Sequence, residues 1–263
     1  MAPICHPFTY SYASTRLSIR WVPEPPFENT DTLVLIVGEW YVDLRIDKQS
    51  GGLDWAIAGQ CLQQNTDPRS LVFTHEIDSN NNFNVSDPCP FVPLPNGDDL
   101  ETGSMCRPDL PGHPVTDYEE VWRYLPTGQS EEGLGHNIAW ILESDEDELR
   151  EGQGKITKTF LGRIGSRYLA LQQVQTHSRV HGSWNVNIMG GDLNARSEEW
   201  IGDRWKEKHV LINGCNELPS MGKDFDMHNQ ASWHVGRRVT FRGCQYTVRA
   251  FEQAEITARG TRL

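Results

Sequence analysis

The chain has 263 residues, 37% of them hydrophobic, and a formal net charge of −12 at pH 7. Its length allows one large β domain or two small ones, and its nine Trp, nine Phe and seven Tyr residues supply the volume of a real core. The acidic charge disfavours nucleic acid as a partner, because a phosphate backbone is bound by a basic protein face.

Short strands dominate the first part of the chain. Residues 30–37 (TDTLVLIV) predict a buried strand, and residues 41–46 (YVDLRI) predict a strand whose side chains alternate between two faces. One face carries Val42, Leu44 and Ile46, and the other carries Tyr41, Asp43 and Arg45. Residues 51–59 (GGLDWAIAG) predict a turn followed by a third strand. This beginning is typical of an antiparallel sheet.

The next segments add strands and turns. Residues 70–78 (SLVFTHEID) alternate, so Phe73, His75 and Ile77 are predicted to share a face. An Asn-Gly pair at 96–97 is a strong hairpin signal. The β pattern therefore continues past the first hundred residues.

Acids, aromatics, prolines and glycines are combined in residues 101–122 (ETGSMCRPDLPGHPVTDYEEVW). Its three prolines disfavour central strand pairing, and its glycines permit tight turns. We therefore interpret the run as a structural connection, after which residues 118–122 begin a strand or a short helix. Glu101 and Trp122 lie at its two ends, and we hypothesise that both reach an internal cavity.

The second half of the chain reads mostly as further strands at hairpin spacing. Residues 195–209 (ARSEEWIGDRWKEKH) alone have helical character. Two stretches near the middle, 125–135 (LPTGQSEEGLG) and 144–155 (SDEDELREGQGK), are candidate linkers, and the second suits a solvated hairpin tip equally well. The sequence predicts an all-β chain with at most short helices and two domains of similar size.

Two motifs raise the question of metal chemistry. Residues 187–200 contain Gly-Asp-Leu-Asn, which resembles the GDxN signature of metal-dependent nucleases and phosphatases, with Asp192 and Asn194 as the catalytic pair. Those folds also need a C-terminal Ser-Asp-His, and the tail RAFEQAEITARGTRL holds no histidine, so we favour a Gly-Asp turn after a strand. His177 and His181 lack a third zinc ligand. No nucleotide, dinucleotide or serine-hydrolase motif occurs, and we expect no metal and no cofactor.

The chain has no targeting signal that we can identify. No apolar run reaches the roughly eighteen residues of a membrane span, and the start MAPICHPFTYSYAST lacks the basic and apolar regions of a secretory signal. We therefore expect a cytoplasmic protein without a membrane span. Its six cysteines include no CxxC pair and are expected to be reduced thiols.

Aromatic residues are the main functional signal. Inward alternation in a barrel would line a cavity with indoles and a few polar groups, which suits a flat lipophilic ligand. The competing interpretation is ordinary core packing. The predicted substrate-binding residues are Trp40, Trp55, Phe73, Trp122, Trp140, Trp184 and Trp233. The polar residues predicted to act on the substrate are His75, Arg45, Tyr124 and Glu101.

Several segments resemble a known family in their order along the chain. They are STRLSIRWVPEPPFENTDTLVL, YVDLRI, LDWAIAG, FTHEIDS and NGDDLETGSMCRPDLPGHPVTDYEEVWRYL, and they resemble the fungal HRI (Hrr-kinase-interacting) family. The resemblance is specific over residues 14–125, and KTFLGRIGSRYLALQQV is the best match beyond them. It implies two calycin-like (lipocalin-related) antiparallel β-barrels in tandem, and it supplies no catalytic residues. The expected domains are an extension over 1–13 and barrels over 14–130 and 131–263.

The chain also departs from the usual pattern of that family. The extension MAPICHPFTYSYA, the run LIVGEWYVDLRI and the run GQCLQQNTDPRS differ from it and cluster around one predicted barrel mouth. These differences suit a paralogue recruited to specialised fungal metabolism. In size and β-rich character the chain is similar to cofactor-free hetero-Diels–Alderases that join terpenes to tropolone-derived quinone methides.

Two functional hypotheses follow. The first is a cofactor-independent cyclase of the hetero-Diels–Alder type, which aligns lipophilic terpene- or polyketide-derived substrates in an aromatic pocket and polarises a carbonyl with hydrogen-bond donors. The alternative is a non-enzymatic HRI-type kinase-interacting protein or a lipophile carrier. A metal-dependent nuclease comes third. A homodimer is compatible with such folds, and nothing in the sequence requires one.

Overall fold

The computed structural model describes residues 11–64, 67, 69–83, 88–107, 109–128, 136–144, 153–179, 186–213, 217–225, 230 and 232–255. The strands of the N-terminal half are β1 (Tyr12–Trp21), β2 (Thr30–Val37), β3 (Trp40–Asp47), β4 (Leu53–Gln63), β5 (Ser70–Phe73), β6 (Ile77–Asp78), β7 (Pro88–Pro93), β8 (Asp99–Cys106) and β9 (Val115–Leu125). The C-terminal half contains β10 (His136–Ser144), β11 (Gln153–Ile164), β12 (Arg167–Arg179), β13 (Val186–Ile201), β14 (Arg204–Leu211), β15 (Arg238–Phe241) and β16 (Cys244–Glu255), with the helix α1 (Met221–Asp224).

The N-terminal strands close into a barrel. The hydrogen-bonded order is β3-β2-β1-β9-β8-β7-β5-β4, and β4 pairs back with β3, so eight strands form a complete ring. The two-residue strand β6 adds to β4 outside this ring. An eight-stranded barrel has an interior wide enough for side chains or one small ligand. The predicted all-β fold is confirmed, and the predicted strand at 30–37 coincides with β2.

The C-terminal strands form a second, curled antiparallel sheet. Its order is β14-β13-β12-β11-β10-β16-β15, and within the described ranges its two edge strands do not pair with each other. The stretch 144–155 joins β10 to β11, which pair with each other, so it is a hairpin connection. Its residues 145–152 lie outside the described residues. The division between the sheets falls between β9 and β10, while the domain limits at 13/14 and 130/131 remain a prediction.

Strand β3 is buried on both faces, and the predicted alternation explains why. Val42, Leu44 and Ile46 point outward from the barrel into a core shared with Leu169 and Leu171 of the C-terminal sheet. On the opposite face, β3 turns tyrosine, aspartate and arginine side chains into the barrel interior. The same strand therefore belongs to the interface between the two sheets and to the barrel interior.

Residues 195–209 do not form the predicted helix. They make up the end of β13, a two-residue turn and most of β14, with Gly202 at φ 73° in the turn. Antiparallel pairing of β13 with both β12 and β14 outweighs a helix propensity worth only tenths of a kcal/mol per residue. The predicted turn at Gly-Asp-Leu-Asn is also wrong, because this motif lies within the continuous strand β13.

The predicted common face of Phe73, His75 and Ile77 is also wrong. Phe73 ends β5 and packs in the barrel interior, whereas Ile77 lies in β6 and belongs to the core between the sheets. The chain leaves the strand conformation at residues 74–76, where the Thr74 carbonyl passes close to the backbone of Gly59. A break between the two short strands reverses the face on which later side chains lie.

The run 101–122 is the hairpin of β8 and β9. Glu101 and Glu120 are opposite each other in its ladder, and only residues 107–114 form the connection between the strands. Among the described residues, Cys61, Cys89, Cys106 and Cys244 form no disulfide. In this part of the chain, no helix has the length and apolar character needed to cross a membrane.

Candidate functional site

The interior of the N-terminal barrel contains a network of buried charges. Glu120 of β9 accepts a hydrogen bond from Nη1 of Arg16 at 2.5 Å and another from Nη1 of Arg45 at 3.3 Å. Arg45 also donates to Oδ2 of Asp43 at 2.9 Å, and Arg16 donates to Oε2 of Glu28 at 2.8 Å. Strands β1, β3 and β9 thus bring charges that are distant in sequence into one cluster. Buried charges are tolerated only when they are paired in this way.

Asp43 is the least satisfied member of this network. Its Oδ1 atom is buried and has no hydrogen-bond partner among the described residues. Burial raises the pKa of the Asp43 carboxyl, against the opposing effect of the positive charge of Arg45. One acceptor position in the barrel interior is therefore available to a donor group that approaches it.

Glu101 is a second buried carboxyl in the same interior. Its Oε1 accepts a hydrogen bond from the Tyr118 hydroxyl at 2.7 Å, and its Oε2 accepts one from Nε1 of Trp122 at 2.9 Å. Burial, followed by the negative charge of Glu120, raises the pKa of Glu101 to about 7. At neutral pH this carboxyl therefore exchanges between a proton donor and a carboxylate, which is typical of acid–base groups in functional sites.

The fold brings four of the predicted site residues into contact. The guanidinium of Arg45 lies 4.8 Å from the ring centroid of Trp55 and 5.6 Å from that of Trp122, which in turn donates to Glu101. Such cation–π contacts are stronger when they are removed from water. The cluster of Arg45, Trp55, Glu101 and Trp122, here called the barrel cluster, joins a fixed cation, a titratable acid and two indoles.

His75 lies next to the barrel cluster, but not within it. Its Nδ1 is 2.6 Å from Oδ2 of Asp78, and its ring meets Trp55 edge to face with a centroid distance of 6.3 Å. The other oxygen of Asp78 accepts a hydrogen bond from Nε1 of Trp55 at 2.9 Å, and Gln173 of β12 binds the Asp78 backbone. A carboxylate that orients an imidazole in this way also fixes its tautomer.

The other predicted residues are distributed over the molecule. Tyr124 donates to Oδ2 of Asp99 near the far end of the barrel. Phe73 packs edge to face on Tyr41 inside the barrel, with ring centroids 5.0 Å apart.

The remaining predicted aromatic residues lie outside the barrel interior or outside the described residues. Trp40 packs on the outside of the barrel against Phe160 of the C-terminal sheet, with Arg249 over its ring. A surface cleft of about 190 Å³ lies beside it. Trp140 and Trp233 pack together in the C-terminal core, and Trp184 lies outside the described residues.

Asp192 and Asn194 show no metal-site geometry. Asp192 is exposed, and Asn194 bonds to Gln172 at 3.2 Å and to the backbone of Asn213 at 2.6 Å. Within the described ranges, no three His, Cys, Asp or Glu side chains are grouped so that they would hold a metal ion. Asn194 therefore has a structural role in positioning the chain that follows β14.

Sequence reasoning missed Arg16, Glu28, Tyr118 and Glu120. Tyr118, Glu120 and Trp122 occupy every second position of β9 and therefore share one face. Because Trp122 was already selected, this period of two would have identified the other two residues. Arg16 lies in β1, where a register irregularity between residues 16 and 18 interrupts the alternation. No local signal marks its pairing with a glutamate 104 positions away.

Replacement of Gly103 by Ala is expected to destabilise the protein by about 1–3 kcal/mol. A Cβ at this position would lie 2.7 Å from the ring and hydroxyl of Tyr118, which cannot shift without losing its hydrogen bond to Glu101. Urea unfolding followed by tryptophan fluorescence measures the effect. The control is Gly222→Ala, where the new Cβ would meet Trp205 at an ordinary 3.5 Å. Equal stabilities of the two variants would show that Tyr118 is not held in place.

The comparisons agree with this description of the fold. A closed eight-stranded barrel followed by a curled seven-stranded sheet defines the class as an all-β protein with two barrel-like units in tandem. The chain matches the family described as Protein HRI1 over residues 12–249. The chain therefore belongs to the HRI1 family.

One solved structure supports the same architecture. The crystal structure of the uncharacterized protein YLR301w from Saccharomyces cerevisiae resembles this chain with a TM-score of 0.62 and 15% sequence identity. The similarity covers 92% of this chain and 99% of the yeast chain. At this identity it shows the fold alone. No curated protein matches the chain.

Proposed function

We propose that the N-terminal barrel binds a flat lipophilic molecule and promotes its cofactor-independent cyclisation, in a reaction of the hetero-Diels–Alder type. The observation that carries the proposal is the barrel cluster, in which Arg45 and Glu101 share one interior with the indoles of Trp55 and Trp122. These two polar residues and two aromatic residues were predicted from different parts of the sequence, and they are in contact in the barrel cluster.

The chemistry of these groups suits a reaction that needs alignment and polarisation. A cycloaddition redistributes electrons without gaining or losing atoms, so it needs no co-reactant from the protein. Holding the reacting ends together can supply about 7–11 kcal/mol of the barrier in favourable cases. Arg45 and the protonated form of Glu101 would donate hydrogen bonds to a carbonyl as negative charge develops on its oxygen. The uncommitted Oδ1 of Asp43 would accept from a hydroxyl of the same ligand.

A specific observation also favours the alternative, a non-enzymatic interaction protein. Arg16, Arg45, Glu120 and Asp43 pair with one another inside the barrel, and Trp122 and Trp55 donate to internal carboxylates. Side chains that satisfy each other fill space that a ligand would occupy. In that case the barrel would be a structural scaffold, and a partner would bind to its outer surface.

Titration with small molecules distinguishes the two proposals. The purified protein is titrated with fungal terpenes, polyketide aromatics and mixtures of the two, and tryptophan fluorescence and chromatography with mass detection follow binding and product. We expect saturable quenching, together with a product whose mass equals that of one substrate or the sum of two. Saturable quenching without conversion would indicate a carrier, and the absence of both would favour the interaction protein.

Trp55→Ala is expected to weaken binding of the ligand that quenches the fluorescence about tenfold or more, because stacking on an aromatic ring contributes roughly 1–3 kcal/mol when it is removed by alanine substitution. The matched control is Trp200→Ala, which removes an indole of the C-terminal sheet that packs against Trp205. Equal affinity of both variants would place the ligand outside the barrel cluster. Circular dichroism of each variant confirms that the sheets are intact.

A further inference from the structure

An arginine joins two loops at one end of the N-terminal barrel. Arg107 directly follows β8 and forms an ion pair with Glu24 of the β1–β2 connection. It also binds both carboxylate oxygens of Asp109 in the β8–β9 connection, at 3.0 and 2.6 Å. Two connections that are far apart in sequence are therefore held together by one guanidinium. The bidentate geometry makes this contact specific to arginine.

The same arginine covers the first member of a chain of contacts leading inward. Its guanidinium lies 5.1 Å from the ring centroid of Trp21, and Trp21 meets Tyr118 edge to face at 6.5 Å. Tyr118 then donates to Glu101 at 2.7 Å. Three side chains thus connect the protein surface with Glu101, the titratable acid of the barrel cluster.

Exposure differs sharply across the ion pairs. The side chain of Arg107 is 8% exposed, whereas those of Glu24 and Asp109 are 51% and 54% exposed. The two carboxylates are already hydrated, so they lose little when the arginine moves away, and screening by salt weakens their attraction for it. At the other end of the barrel, the Tyr124 hydroxyl binds Asp99 and its ring packs on Tyr12. The Arg123–Asp98 ion pair at that end has the opposite distribution, because its arginine is 53% exposed and its carboxylate 4% exposed.

We propose that Arg107 is a latch on the entrance to the barrel interior. When its ion pairs with Glu24 and Asp109 separate, the guanidinium no longer covers the ring of Trp21. Small molecules can then reach Tyr118 and Glu101 past Trp21. Passage of a ligand through this entrance rests on the proposed function, but the latch itself does not. The described structure is the closed state.

Cys89 provides a probe that needs no ligand. Its half-buried thiol sulfur lies 3.8 Å from the hydroxyl of Tyr118, the residue on which Trp21 packs. The rate of its alkylation by N-ethylmaleimide at fixed pH, measured by peptide mass spectrometry, reports how often the interior is reached. We expect Arg107→Gln to accelerate alkylation of Cys89 about tenfold. The substitution removes a charge-assisted hydrogen bond that stabilises the closed state, so local opening becomes more frequent by about this factor.

Two comparisons make the result decisive. Cys61 is buried in the same barrel beyond the barrel cluster, and its alkylation rate should stay unchanged in Arg107→Gln. The control variant Arg20→Gln breaks an ion pair with Glu119 on the outer face of β1 and β9 and should alter neither rate. In the unaltered protein, raising the salt concentration to about 1 M should accelerate Cys89 alone, which avoids any effect of a substitution on folding.

Unchanged Cys89 alkylation in both Arg107→Gln and high salt would overturn the latch. An equal acceleration of Cys61 and Cys89 would also overturn it, because a general loosening of the barrel would then explain the result. Both outcomes leave the proposed function untouched, since neither measurement uses a ligand. Conversely, a barrel that binds none of the test molecules can still show the selective acceleration of Cys89.

Discussion

Arg45→Met is expected to lower the free energy of unfolding by about 3–5 kcal/mol, the usual cost of leaving a buried charge without its partner. The substitution removes the cation bound by Asp43 and shared by Glu120, and it also removes the contacts with the rings of Trp55 and Trp122. Urea unfolding followed by fluorescence and by circular dichroism measures the change.

The control is Arg20→Met, which breaks the Arg20–Glu119 pair on the outer face of the same barrel. That pair is partly exposed, so a change below about 1 kcal/mol is expected. The double variant Arg45→Met with Asp43→Asn should recover part of the lost stability, because it removes both members of the buried pair. Similar losses for Arg45→Met and Arg20→Met would mean that water reaches the barrel interior.

Glu101→Gln is expected to change how stability depends on pH. The pKa of Glu101 is about 7 in the folded protein, above its ordinary value of 4.5, so the folded state holds this proton more tightly than the unfolded state. Its stabilising contribution is complete below pH 4.5 and is lost as the pH rises through 7. Glutamine cannot ionise, and its amide can still accept from Trp122 and donate to the Tyr118 oxygen.

We therefore expect the variant to be more stable than the original protein by less than about 1 kcal/mol at pH 5. At pH 8, the variant should be more stable by about 3 kcal/mol. Urea unfolding at half-unit steps between pH 5 and 8 tests this. Glu119→Gln, at the position of β9 that pairs with Thr102, is the control, because hydrogen bonding to Arg20 lowers the pKa of Glu119 and removes its titration from this range. Parallel pH curves for the original protein and Glu101→Gln would contradict the assignment.

The parts of the fold that the sequence predicted correctly depend on local patterns. Alternation along residues 41–46 placed Arg45 on the face opposite Val42, and the structure shows the two faces as predicted. A strand with two different faces carries this information within six residues, and no knowledge of its partners is needed. Glu101 and Trp122 were selected only because they lie at the two ends of one run, without any assignment of strand faces.

The errors arose where a distant partner decides the conformation. Residues 195–209 have a helical composition, yet residues 195–199 pair with β12 and β14 pairs back on β13, in ladders that a helix cannot use. Phe73 and Ile77 lie on different faces because the chain crosses Gly59 between two short strands. Glu120, the partner that Arg16 and Arg45 share, comes from β9, and no pattern in a single sequence gives the order of strands around a barrel. Closure is a property of the whole set of strands.

Strand β3 belongs to two environments at once, the barrel interior and the interface with the second sheet. Its outer face carries Val42, Leu44 and Ile46 against the second sheet, and its inner face carries the charges. A gene fragment that ends after β9 would therefore yield a barrel with an apolar flank open to water, and such flanks cause proteins to associate. The N-terminal barrel therefore needs the C-terminal sheet to cover the apolar face of β3. We expect the two halves to be inherited together, even where substitutions change the chemistry of the barrel interior.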